Sequence, residues 1–252
     1  MENILLPKKV FFEKTDDKNV EKLVIEPCYP GYGTTIGNAL RRVLLSSLSG
    51  GAVTAVKIKG IEHEFSSIEN IKEDVVEIIL NLKQLRCKAF SDEPVILKMK
   101  IKGEKEAKAA DFEKNSAVEI VNPNLHIATL TDKSAELEME IVVQKGRGYL
   151  PTEAREKEKP EIGMILIDAI YTPIRNVGMK IENVRVAQAV NYERLKLKIE
   201  TDGTITPKEA VNQATKILVD HFNLIINEEQ NQPAVEISES EKSNEPKRKK
   251  KK

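Results

Sequence analysis

Tryptophan is absent from this 252-residue chain, and aromatic residues of all kinds make up 4% of it. A protein that holds single-stranded nucleic acid by base stacking needs exposed rings, so that class is disfavoured. Cysteine is scarce too, with only Cys28 and Cys87. Two cysteines build neither a disulfide framework nor a four-thiolate zinc site. Such sparing use points to a reducing compartment. An excess of one charge is also missing, since 40 basic residues balance 40 acidic ones. With no net charge there is no global field to draw in a polyanion. No apolar run approaches the roughly 20 residues that span a bilayer, and the first ten residues lack the apolar centre of a secretory signal. A soluble intracellular protein with no membrane partner is expected.

What is present suffices for a sizeable core, with 40% hydrophobic against 32% charged residues. The length fits one large domain or two small ones. Strands are expected at residues 10–12 and 19–27. The turn cluster Tyr29-Pro30-Gly31-Tyr32-Gly33 follows. Then Ile36, Leu40, Val43, Leu44 and Leu48 recur at helical spacing, with Asn38, Arg41 and Arg42 on the other face. Thr34 or Thr35 is expected to cap this helix and Ser49-Gly50-Gly51 to stop it. A strand at 52–58 and a turn at Gly60 lead to residues 62–65. Asn70 and Glu73 have capping-box spacing ahead of a helix carrying Ile71, Val75, Ile78, Ile79 and Leu82.

From 85 to 143 the pattern is β. A strand is expected at 95–101, and Ala135, Leu137, Met139 and Ile141 alternate with Glu136, Glu138 and Glu140. That alternation marks one buried and one wet face. Lys145-Gly146-Arg147-Gly148-Tyr149 and the charged stretch to Pro160 read as a loop, and 164–170 as a buried strand. Leu195, Leu197 and Ile199 alternate as a strand before a turn at 201–204. Thr206-Pro207-Lys208-Glu209 joins a capping box to proline at the first helical position. Its helix carries Ala210, Ala214, Ile217, Leu218, His221, Phe222 and Ile225. Beyond about residue 228 periodicity ends, and a tail runs from acidic to basic, which is expected to be disordered. Because the pattern opens and closes alike, a discontinuous domain with a β-rich insert is expected.

Candidate chemistry is thin. The loop Gly31-Tyr32-Gly33-Thr34-Thr35-Ile36-Gly37 precedes a helix, as a phosphate cradle does. The dinucleotide pattern, however, needs glycine where Ile36 stands, and a P-loop needs Lys then Ser/Thr where Asn38-Ala39 stand. A tight turn feeding a helix explains the glycines equally. His63, His126 and His221 are far apart and without metal-ligand spacing. There is no Asp-x-Asp magnesium cluster and no Gly-x-Ser-x-Gly elbow. Arg41 and Arg42 lie about 100° apart on their helix and read as a solvated face or as a partner anchor. The loop at 145–149 reads as a hairpin tip or a partner loop. The basic run 247–252 reads as a solubilising end or as a phosphate contact through counterion release.

Taken together, these segments are specific. The run from Gly31 through Ala39, Leu40-Arg41-Arg42-Val43-Leu44-Leu45-Ser46-Ser47 closely resembles the signature helix of the bacterial-type (bacterial or plastid) RNA polymerase alpha subunit family. Four further segments resemble it in the same order: residues 73–83, 145–151, 168–173 and 201–207. The resemblance spans about residues 10–227. It implies an α+β fold, with a discontinuous dimerisation domain (1–52 and 174–229) made of an antiparallel sheet and two long helices. A mostly β insert domain (53–173) and a disordered tail (230–252) complete it. It implies a homodimer that scaffolds the beta and beta-prime catalytic subunits, with omega and sigma in the full complex and DNA reached through that complex. No catalytic residue, metal or cofactor is then expected on this chain, since Mg2+ belongs to the large catalytic subunits. Arg42, with Asn38 and Arg41 beside it, matches the beta-subunit assembly contact, and Lys83 and Arg147 match surfaces facing the large subunits. The dimer interface would use Ile36, Leu40, Val43, Leu44, Leu48, Ile217, Leu218, Phe222 and Ile225. The expected location is bacterial cytoplasm, beside the nucleoid, or plastid stroma. Typical members carry a C-terminal DNA-binding domain, and the roughly 25 polar residues after the last helix are too few to fold into one. Upstream DNA contact is therefore expected to be absent or moved to the basic tail. The rival reading is a stand-alone homodimer that binds nucleotide at residues 31–37.

Overall fold

The structure, a computed structural model, describes residues 4–155, 161–187 and 189–226. Among the described residues, those up to Leu218 form one compact unit and those from Val219 onward belong to a second. The described residues form a mixed α+β fold with three α-helices and mostly antiparallel sheets. In chain order the elements are β1 (Lys9–Lys14), β2 (Val20–Cys28), α1 (Tyr32–Ser46), β3 (Ser49–Ile58), α2 (Val75–Lys83), β4 (Cys87–Ala89) and β5 (Val95–Lys102). Next come β6 (Lys105–Lys108), β7 (Val118–Ile120), β8 (His126–Leu130), β9 (Glu136–Arg147) and β10 (Tyr149–Leu150). The chain continues through β11 (Met164–Leu166), β12 (Ala169–Ile170), β13 (Ile174–Val186), β14 (Ala189–Thr201) and α3 (Pro207–Ile226).

The strands at the two ends of the chain meet in a four-stranded sheet of order β1-β2-β14-β13, antiparallel throughout. One face presents Leu23, Ile25, Val177, Leu195, Leu197 and Ile199 to Leu40, Leu44 and Leu48 of α1 and its exit, and to Ala210, Val211 and Ala214 of α3. A second sheet of order β5-β9-β3-β4-β7, with β11 added beside β3, holds the larger core. Val75, Ile78 and Leu82 of α2 are wholly buried in it. Each such side chain is worth roughly 1.5–3 kcal/mol. The alternation at 135–141 is realised in β9: Leu137, Met139 and Ile141 face the core. Glu136, Glu138 and Glu140 pair with Lys102, Lys100 and Lys98 across the wet face.

Several local expectations are corrected. The threonines do not cap α1: the helix begins at Tyr32 behind Gly31, which has φ 85°, and it has no local side-chain cap. Residues 49–51 open β3 and are not a helix stop. Asp74 caps α2, its Oδ1 accepting from the Glu77 amide at 2.7 Å, so the helix starts four residues later than the Asn70–Glu73 spacing suggested. Asn70 instead takes φ 59° in a turn, and Ile71 bridges to Leu130 ahead of the helix. The loop at 145–149 is largely strand, since β9 runs through Arg147. The apolar run at 164–170 breaks into β11 and β12. The capping box on α3 forms in both directions: Thr206 N donates to Glu209 Oε2 at 3.0 Å, and Glu209 N to Thr206 Oγ1 at 3.2 Å. The tail lies outside the described residues.

Candidate functional site

The start of α1 is held from the far end of the chain. Glu193 on β14 accepts from Gly31 N at 3.0 Å and from Gly33 N at 2.9 Å. Amides at a helix N-terminus carry partial positive charge and attract anions, and here the protein's own carboxylate takes that place. A Cβ on Gly33 would stand 2.6 Å from Glu193 Oε2, so glycine is required for the carboxylate to approach. A phosphate at this loop would have to displace Glu193, which removes the structural ground for a nucleotide cradle at residues 31–37. One turn on, a Cβ at Gly37 would meet Met179 Sδ at 2.6 Å and Leu195 Cδ1 at 2.8 Å. That glycine lets α1 lie close against β13 and β14.

This seating decides which α1 residues face outward. Leu40 and Leu44, with Leu48 just beyond the helix, are buried within the chain's own core, while Ile36 and Val43 are half-buried at its margin. Asn38, Arg41 and Arg42 are exposed. Neither arginine side chain has an ion-pair partner among the described residues. The α3 stripe divides along its length. Ile217 and Leu218 are half-buried against the same core as α1. Phe222 and Ile225, in the second unit, are 57% and 71% exposed. His221 is exposed as well and belongs to no core.

Lys83 at the end of α2 donates to Asp168 Oδ2 at 2.9 Å, and Asp168 Oδ1 accepts from the Thr152 amide at 2.9 Å. The Lys83 ammonium and then the Thr152 amide hold the Asp168 carboxyl below its usual range. Two of the resembling segments, 73–83 and 168–173, therefore meet in one ion pair. Arg147 is exposed at the end of β9, opposite Ser49. Behind it, a Cβ on Gly146 would strike the Tyr171 ring at 2.7 Å.

Three features escaped sequence reasoning. Glu193 is one carboxylate among 40 acidic residues, and nothing local marks it as the partner of a loop 160 residues away. Tyr29 packs edge-to-face on both Tyr32 and Tyr192, at 6.0 and 6.1 Å between centroids. His126 lies between Glu73 (Nε2 to Oε1, 2.9 Å) and Glu106 (Nδ1 to Oε1, 3.0 Å). Glu73 also accepts from the Thr129 amide and hydroxyl. Burial raises the Glu73 carboxyl, but the Thr129 amide, His126 and the Thr129 hydroxyl together bring it below its usual value. The two carboxylates sit on opposite sides of the imidazole and do not converge on one point. Among the described residues no group of three or more His, Cys, Asp or Glu is arranged to hold a metal ion, and no helix is long and apolar enough to cross a membrane.

The second core, with the strands and α2 that build it, corresponds to a known unit. Residues 56–172, a little under half of the chain, match the family model described as the RNA polymerase Rpb3/RpoA insert domain. Over that stretch the chain is similar to the insert domain of RNA polymerase alpha-type subunits.

Proposed function

We propose that this chain is the alpha subunit of a bacterial-type RNA polymerase, which homodimerises and scaffolds the beta and beta-prime subunits. The observation that carries the reading is the insert-domain match over 56–172, set within a chain whose two ends share one sheet and one core. In this reading residues 1–52 and 174–229 are the dimerisation domain and 53–173 the insert. Nucleotidyl transfer and its Mg2+ belong to the large subunits, and no active site lies on this chain. Omega, sigma and DNA are met through the assembled enzyme, in bacterial cytoplasm or plastid stroma.

The exposed residues support separate tasks. Phe222 and Ile225 are large apolar side chains left in water, and a second copy would cover them. Burying each gains roughly 1.5–3 kcal/mol per protomer, enough to link dimerisation to stability. Arg42, with Asn38 and Arg41, forms a polar, unpaired face suited to a partner's carboxylates or carbonyls. Lys83 and Arg147 are less free to act alike: Lys83 is already paired with Asp168, whereas Arg147 is exposed.

The test is co-expression with the beta and beta-prime subunits of the same host. Wild type is expected to co-purify with both and to restore RNA synthesis. Arg42→Ala is expected to remain a folded dimer, within about 0.5 kcal/mol of wild-type stability as for a surface change, yet to lose the beta subunit. A wild-type chain that recovers alone, with no large partner, refutes the reading.

A further inference from the structure

The four-stranded sheet has a second face, opposite α1 and α3. Its cross-strand register sets lysine against lysine twice. Lys22 on β2 lies directly opposite Lys198 on β14, and Lys196 on β14 directly opposite Lys180 on β13. Like charges directly opposite in an antiparallel pair are destabilising. Glu182 relieves one pair, bonding Lys196 at 2.9 Å and Lys180 at 3.0 Å, with Arg194 at 3.8 Å. The hydrogen bonds from Lys196 and then Lys180 hold the Glu182 carboxyl down to about 2, and Arg194 is further paired with Glu26 on β2. The other pair has only Glu13 beside it, opposite Lys22 on β1 and not in an ion pair with it. Lys22 and Lys198 are both exposed, and neither has a carboxylate partner among the described residues. Beside them Gly178 faces Lys198 across the ladder and leaves its flank uncovered. On the other side Phe11 of β1, opposite Val24, is 41% exposed.

We infer that this face docks an extended, acidic segment of a partner protein. Lys196 and Lys198 are alternate residues of one strand, so their side chains repeat about every 6.7 Å, which is the repeat of alternate side chains on a docked extended segment. Carboxylates at alternate positions would meet Lys196 and Lys198, and Lys22 and Lys180 would flank them. An apolar residue of the segment would cover Phe11. A nucleic-acid backbone fits less well. Glu13 opposite Lys22, and Glu200 two residues beyond Lys198, limit the basic area to the span of about two alternate residues, which a segment with two carboxylates matches and a phosphate at every nucleotide overruns. The inference does not depend on RNA polymerase membership.

The test uses the full chain and a fluorescein-labelled twelve-residue peptide of alternating glutamate and valine, read by anisotropy at low and moderate salt. Controls are the same peptide with glutamine for glutamate, and a DNA duplex of equal length. The acidic peptide is expected to bind, with affinity falling as salt rises, and the glutamine peptide to fail. Lys198→Glu is expected to weaken binding about tenfold. It is also expected to hold or raise the thermal midpoint of the free chain, because it turns a Lys–Lys opposition into an ion pair. Lys198→Gln, which removes charge without adding any, is expected to fall between. Absent peptide binding at low salt, or equal binding by wild type and Lys198→Glu, overturns the inference. Preferential binding of the duplex, lost in Lys198→Glu, overturns it in favour of nucleic acid.

Discussion

Glu193→Ala removes two charge-assisted hydrogen bonds from the start of α1. Each is worth about 1.5–3 kcal/mol when buried. The carboxylate is only half-buried, so solvent screening brings the pair down to about 2 kcal/mol together. The stronger form of the prediction is the coupling with Gly33. In wild type, Gly33→Ala places a methyl 2.6 Å from Glu193 Oε2 and forces the carboxylate away. It should therefore cost about as much as losing the cap, less a helix-propensity gain of up to about 1 kcal/mol. Once Glu193 is alanine, the obstacle is gone and Gly33→Ala should be neutral or slightly stabilising. A double-mutant cycle by urea unfolding would then show a coupling of about 1–2 kcal/mol, with m unchanged. Additive effects, or a Glu193→Ala variant within 0.5 kcal/mol of wild type, would mean that the carboxylate does not hold the helix.

Three more outcomes are expected. Gly50→Ala should destabilise by at least about 3 kcal/mol or prevent folding, because its Cβ would fall 2.1 Å from the Tyr171 carbonyl oxygen; a normal melting curve would refute this. Stability should fall under acid. The Asp168, Glu73 and Glu182 carboxyls all lie below their ordinary values, so their contribution is full above the ordinary carboxylate range and is lost as pH falls through the lowered values, about 2 for Glu182. Asp168→Asn should flatten part of that loss in a pH series of thermal midpoints. Both thiols should resist a disulfide reagent at pH 8 until the chain unfolds. Burial pushes Cys87 up to about 12 and raises Cys28 as well, and both are fully buried.

How much of this could be read from sequence depended on whether the deciding contacts were local. The α3 start was legible because Thr206, Pro207 and Glu209 satisfy one another within four residues. The β9 alternation was legible because its period is set by which face is wet. The α1 start was misread for the opposite reason. Its cap comes from β14, and a threonine rule cannot know of a competitor 160 residues away. The α2 start slipped because Glu73, at the right spacing for a cap, is used by Thr129 and His126 on β8. The exposed face of Asn38, Arg41 and Arg42 was visible in the helical period. The pairing of Lys83 with Asp168, and the opposed lysines of β2, β13 and β14, depend on register, which no single strand encodes.

Gly50 and Tyr171 touch, and they mark the two places where the backbone passes from one hydrophobic core to the other. The outward passage is Ser47-Leu48, between α1 and β3, and the return is Tyr171-Thr172-Pro173, between β12 and β13. Everything between leaves and re-enters at nearly one point. A chain cut at that point and rejoined by a turn of a few residues would lose little to loop closure. The excursion is thus free to lengthen, shorten or be exchanged without altering the path of the sheet and helices that launch it.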